Sequence, residues 1–130
     1  MGIPRAPKAS TMTPSVERLL TPSPQDTLTA VRDRCIIVLA LEGLTASEIA
    51  TLKLSALPAV RTRLAAQQLV AVDAWVARHP DAHVVGAPFV CRIRRILAQR
   101  GPLQPSSVVE AAKRYLVRRR VALHFAGLHP

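Results

Sequence analysis

From residue 27 to 42 the chain reads TLTAVRDRCIIVLALE, and between Cys35 and Leu41 no polar side chain interrupts it. A helix that is apolar nearly all round is buried on most faces, so this stretch predicts the central helix of the fold. Gly43 follows where a left-handed glycine would end it. The next segment, TASEIATLKLSAL, opens with Thr45 and Glu48 at capping-box spacing, in which two side chains cap backbone N–H groups reciprocally. Ile49 and Leu52 then face the core, Pro58 predicts a stop, and SALPAVRTR predicts a short connector. Over residues 64–79 the pattern turns amphipathic. Leu64, Ala65, Leu69, Val72, Trp75 and Val76 share one arc that Gln68 interrupts, with Asp73 and Arg78 outside it.

The stretch PFVCRIRRILAQRGP, residues 88–102, fits two periods. Phe89, Cys91 and Ile93 alternate as in a strand, whereas Ile93, Ile96 and Leu97 recur as in a helix. The stop signal Gly101-Pro102 favours the helix. In the last element, SSVVEAAKRYLVRRR, Ser107 and Glu110 repeat the capping spacing. Val108, Ala112, Tyr115 and Leu116 form its apolar face, and Lys113, Arg114, Arg118 and Arg120 turn outward. Arg119 falls among the apolar positions, which predicts fraying near Arg118. Residues 1–26 carry five of the eleven prolines, so they predict a loose arm with one short helical turn around residues 15–20. The expectation is a mainly α fold, a compact bundle of about five helices over residues 27–130, with any sheet reduced or absent.

Charge narrows what such a bundle is for. Lys+Arg number 18 against 8 Asp+Glu, a net charge of +10, and a surplus that large in one small domain points to a polyanionic partner, most often nucleic acid. A membrane surface fits less well, because the cations run along the whole chain and not in one cluster. The longest wholly apolar run is also far shorter than the roughly 20 residues a membrane helix needs. Aromatics make up only 3%, so the core must be built from Leu, Val, Ile and Ala. Cys35 and Cys91 have no metal-ligand spacing, Cys35 reads as a buried free thiol, and a reducing cytoplasm is expected. His124 and His129 do not stack on one helical face, and glycine is too scarce for a phosphate-cradling loop. No metal, cofactor or small-molecule substrate is therefore expected.

The order of residues adds a resemblance. Arg32, Asp33 and Arg34, then a long apolar helix, then Gly43, Leu44, Ser47, Glu48, Leu52, Lys53 and Ser55 match in register the start of the catalytic domain of the tyrosine recombinases, or phage-type integrases. LVAVDAWVARHP is similar to that domain's central helix, and GPLQPSSVVEAAKRYLVRRR to the helix that leads to its His-x-x-Arg box. The resemblance covers roughly residues 12–130. It implies the helical part of that catalytic domain, with double-stranded DNA and a full-length recombinase as partners.

The departures concern the chemistry. The family's phosphate-clamping arginine before Ser-Glu is here Thr45, a neutral hydroxyl that cannot neutralise developing phosphate charge as a guanidinium does. Only nine residues separate Leu54 from Leu64, too few for the family's three-stranded sheet with its lysine general acid, given strands of about 5–6 residues. The His-x-x-Arg box and the nucleophilic tyrosine would fall after Pro130. Tyr115 lies on an apolar face and reads as core. A DNA binder without strand transfer of its own is expected, using Arg92, Arg94, Arg95, Lys113, Arg114, Arg118 and Arg120. The alternative is a helix-turn-helix regulator over residues 42–64, where EGLTASEIATLKLSALPAVRTRL fits the sigma-factor or response-regulator spacing. Its recognition helix would open at Ala59 and place Arg61 and Thr62 in a major groove. A basic helical protein with an RNA or protein partner is the third class.

Overall fold

The apolar run becomes the central helix of the computed structural model, which describes residues 18–23, 25–84, 86–93, 101–121, 123 and 125–128. Helix α1, Leu28–Leu41, starts where the Thr27 hydroxyl accepts the Ala30 N–H. Every residue from Val31 to Ala40 is buried, including Arg32, Asp33 and Arg34. The helix ends at Gly43 (φ 92°), whose left-handed backbone costs a glycine nothing. The turn lets Leu44 N–H reach the Leu39 carbonyl and Gly43 N–H the Ala40 carbonyl, the paired bonds of a Schellman ending.

Helix α2, Ala46–Thr51, carries the capping box read from the sequence: the Thr45 hydroxyl accepts from Glu48 N–H, and the Glu48 carboxylate accepts from Thr45 N–H at 2.8 Å. Ile49 is buried against the core and Leu52 half-buried. The expected connector is instead a 3₁₀ turn, Leu54–Ala56, followed by a short helix α3, Leu57–Arg61. Pro58 does not stop this helix, because it sits in the first turn, where its missing N–H has no intrahelical partner to lose.

Helix α4, Ala66–Arg78, buries Gln68, Ala71, Val72 and Trp75. Gln68 does not break its apolar face. Its Oε1 accepts Ala65 N–H at the helix start, and its Nε2 donates to the buried Glu42 carboxylate, so both ends of the amide are satisfied. Helix α5, Pro105–Arg119, departs from the sequence pattern at both ends. It starts at Pro105 and not at a Ser107 cap, with proline in the first turn. It also does not fray at Arg118. Arg120 adopts the left-handed conformation (φ 56°), and Val121 N–H closes back onto the Leu116 carbonyl. Arg119 is accommodated because it stacks over Tyr115 and pairs with Asp26.

Helix α1 packs against α4 and α5, and α2 leans on α5. Among the described residues there is no strand, only the isolated bridges Lys53–Pro88 and Cys91–Pro102. The fold is thus mainly helical, a bundle around α1. Neither a helix nor a clean alternation forms over residues 86–93, where Phe89, Val90 and Cys91 are buried in succession; the rest of the helix expected over residues 88–102, residues 94–100, lies outside the described residues. Their backbone is spent on tertiary bonds. Phe89 N–H donates to Leu52, and the Phe89 carbonyl accepts the Trp75 indole N–H at 2.7 Å and lies 3.0 Å from His79 Nε2. Residues 18–20 are helical and bury Leu19 and Leu20; the rest of the helical turn expected there lies outside the described residues. At the other end, the 3₁₀ turn Ala126–Leu128 closes on the α1–α2 corner. A Cβ at Gly127 would come within 2.8 Å of the Leu44 carbonyl oxygen, so this approach needs glycine. No helix among the described residues is long and apolar enough to cross a membrane.

Candidate nucleic-acid interface

The Arg32-Asp33-Arg34 triplet is consumed by the fold. Two positions apart on the helix, the two arginines leave α1 in different directions and meet different acids. Arg32 grips Asp33 through Nε and Nη2 (2.9 and 2.8 Å) and donates through Nη1 to the Cys91 carbonyl. Arg34, with no exposed surface, donates through Nη2 to Asp26 and through Nε to the Tyr115 hydroxyl at 3.1 Å. Its Nη1 makes no hydrogen bond. The Tyr115 hydroxyl passes the chain on to the Leu19 carbonyl at 2.7 Å, and Arg119 closes on the other Asp26 oxygen at 3.2 Å. Arg78 Nη1 adds a bond to the Asp26 carbonyl. Arginines from α1, α4 and α5 therefore converge on Asp26, the residue just before the α1 cap.

The acids respond to these surroundings in opposite directions. Burial acts to raise the Asp26 carboxyl, but the Arg34 hydrogen bond, the Ser23 N–H and the charges of Arg34 and Arg119 outweigh it and hold it below the usual value. For Asp33 burial wins over Arg32, Arg114 and Arg118, and its carboxyl is raised. Burial likewise pushes the Tyr115 phenol up despite Arg34. Its hydroxyl is bonded on both sides within the core, accepting from Arg34 and donating to Leu19. Burial also raises the Cys35 thiol, whose Sγ contacts the Ala71 carbonyl.

Apart from Arg119, the cations of α5 and its C-cap face outward. Lys113, Arg114, Arg118 and Arg120 are exposed, as the helical spacing predicts. Arg114 and Arg118, four residues apart, lie on one face; Arg114 borders two cavities and Arg118 the smaller of them. One, of about 300 Å³, is lined by Arg32, Leu103, Ser106, Ser107, Glu110 and Arg114. The other, of about 80 Å³, is lined by Ala30, Asp33, Arg114, Tyr115, Arg118 and Arg119. Lys113 instead borders a small apolar crevice with Leu116, Leu123 and Phe125. Arg92 is half-buried, its backbone N–H bonded to Gly101 and its Nε to the Pro102 carbonyl; these bonds tie it to the chain before α5 and not to the α5 cations. Arg94 and Arg95 lie outside the described residues.

Sequence reasoning missed Arg119 and Asp33 as lining residues of the smaller cavity. Charge number alone could not find them, because what matters is which guanidinium already has an acid. Thr45, at the position of the family's clamping arginine, is an exposed helix cap. In the helix-turn-helix alternative a recognition helix opens at Ala59, but α3 ends at Arg61 after five residues. Arg61 is paired with Asp73, and Arg63 donates to the Glu42 carbonyl. No family model, curated protein or solved structure matches the chain.

Proposed function

We propose that this chain is a helical DNA-binding protein of tyrosine-recombinase type that does not transfer strands by itself. The observation that carries the reading is the outward cationic face of α5, with Lys113, Arg114, Arg118 and Arg120 exposed in a chain of net charge +10. The recombinase likeness is supported by the order around α1: the Arg32-Asp33-Arg34 triplet, the buried helix, the Gly43 turn and the Thr45–Glu48 box. Strand transfer needs an arginine clamp and an available nucleophile. Here the clamp position is a threonine cap and the tyrosine is locked in the core. A full-length recombinase, acting as protein partner in the cytoplasm, would have to supply both.

Contacts of this kind neutralise phosphates without reading bases. Affinity for duplex DNA is then expected in the non-specific range, with a dissociation constant of roughly 10⁻⁴–10⁻⁶ M at physiological salt. Fluorescence anisotropy with unrelated labelled duplexes at several salt concentrations tests it. Similar affinities that fall steeply with salt support the reading. Tight binding to one sequence, lost in Arg61→Gln, would transfer the function to the helix-turn-helix alternative.

A further inference from the structure

We infer that the smaller α1–α5 cavity is a seat for one phosphate group, held by the guanidinium forks of Arg114 and Arg118. This deepens the nucleic-acid reading and rests on it for the source of the phosphate. Three arginines, Arg114, Arg118 and Arg119, and one aspartate, Asp33, are among the residues that line the cavity. Its volume is about 80 Å³, and a water needs on the order of 10–15 Å³, so it holds several waters or one tetrahedral oxyanion.

The local charges decide which. Asp33 is already gripped by Arg32 through two hydrogen bonds to one oxygen. Arg114 forms an ion pair with the other oxygen at 3.6 Å, too long for a hydrogen bond, so its N–H donors stay unspent. Arg119 is committed to Asp26 and to the face of Tyr115. Arg118 makes no hydrogen bond or ion pair among the described residues and is exposed. Two forks, Arg114 and Arg118, thus border the cavity with donors to spare, and Arg119 adds positive charge beside them. The end of α5 works against an anion, since a helix C-terminus carries roughly half a negative charge. Asp33 opposes it too, but Arg32 offsets that charge. The remaining balance favours a phosphate, which planar guanidinium forks match bidentately.

Inorganic phosphate titrated into the full chain, with the arginine Nε–Hε resonances followed by NMR at constant ionic strength, tests the seat. Expected is a saturable shift of the Arg114 and Arg118 signals that is lost in Arg118→Gln and retained in Lys113→Gln. Duplex binding supplies the second arm: Arg118→Gln should lessen the slope of log affinity against log salt by about one unit. Circular dichroism of each variant controls for folding. A saturable phosphate effect with an unchanged duplex slope keeps the seat, as one for free phosphate, and removes DNA as its source. No saturable effect, or one equally lost in Lys113→Gln, overturns the seat even where duplex binding persists.

Discussion

The arginines of α1 and those of α5 face each other across one helix junction and do opposite work. Arg32 and Arg34 are buried, and each is bonded to an aspartate and to a further oxygen. Arg114 and Arg118 are exposed, without an acid at hydrogen-bond distance among the described residues. A buried charge that loses its partner is costly, whereas an exposed one can be removed with little effect on stability. The same residue type is therefore architecture on one helix and available surface on the other. In a chain this basic, the number of arginines says less than the location of its eight acids.

The most severe way to break this contrast is Arg34→Met, which leaves Asp26 and the Tyr115 hydroxyl short of their shared donor. Urea denaturation should show a loss of roughly 3–5 kcal/mol. An unchanged midpoint would mean that the buried arginines are as dispensable as the exposed ones. Tyr115→Phe is milder. It strands Arg34 Nε and the Leu19 carbonyl, each now without its hydroxyl partner, and should cost about 1–3 kcal/mol in the same measurement.

Acid separates the two aspartates. Asp26 titrates below its ordinary value when folded, so its contribution is present above the unfolded value and is lost as pH falls through the folded one. Asp33 is raised, so its contribution runs the other way, and stability falls as pH rises from the unfolded value through the folded one. Asp26→Asn should therefore be less stable than the parent at neutral pH, with a gap that closes as the pH drops below the ordinary carboxylate range. Thermal melts across pH give the answer, and a gap independent of pH would show that Asp26 acts by shape alone. The smallest effect belongs to Thr45→Ala, about 1 kcal/mol from loss of the α2 cap. It should leave duplex affinity untouched in the anisotropy assay, because the hydroxyl is occupied by Glu48 N–H.

Periodicity made α1, α2, α4 and α5 legible, α1 as an apolar run ended at Gly43, α2 by its capping box, and α4 and α5 by apolar positions at helical spacing. It failed where the backbone answers to distant groups. Phe89 is held by Trp75 and Leu52, partners that no local window contains. Pro58 reads as a stop and instead opens a helix, since proline ends a helix in its interior yet starts one in its first turn. For the candidate interface, helical spacing placed Lys113, Arg114, Arg118 and Arg120 outward. Which of them border a cavity depends on α1, a neighbour far away in sequence. Arg119 read as a misfit because its acid, Asp26, lies 93 positions earlier.

Trp75 gives the protein an optical channel of its own. It is the chain's one tryptophan, fully buried on α4, with its ring 4.9 Å from that of His79. An indole so enclosed should emit at short wavelength and shift red when the bundle opens or when the segment carrying Phe89 detaches. The arginine face belongs to α5, so the emission tracks the integrity of the scaffold and a label on the DNA tracks occupancy. The two signals can be collected from one cuvette, and a variant that has merely unfolded is recognised by its colour.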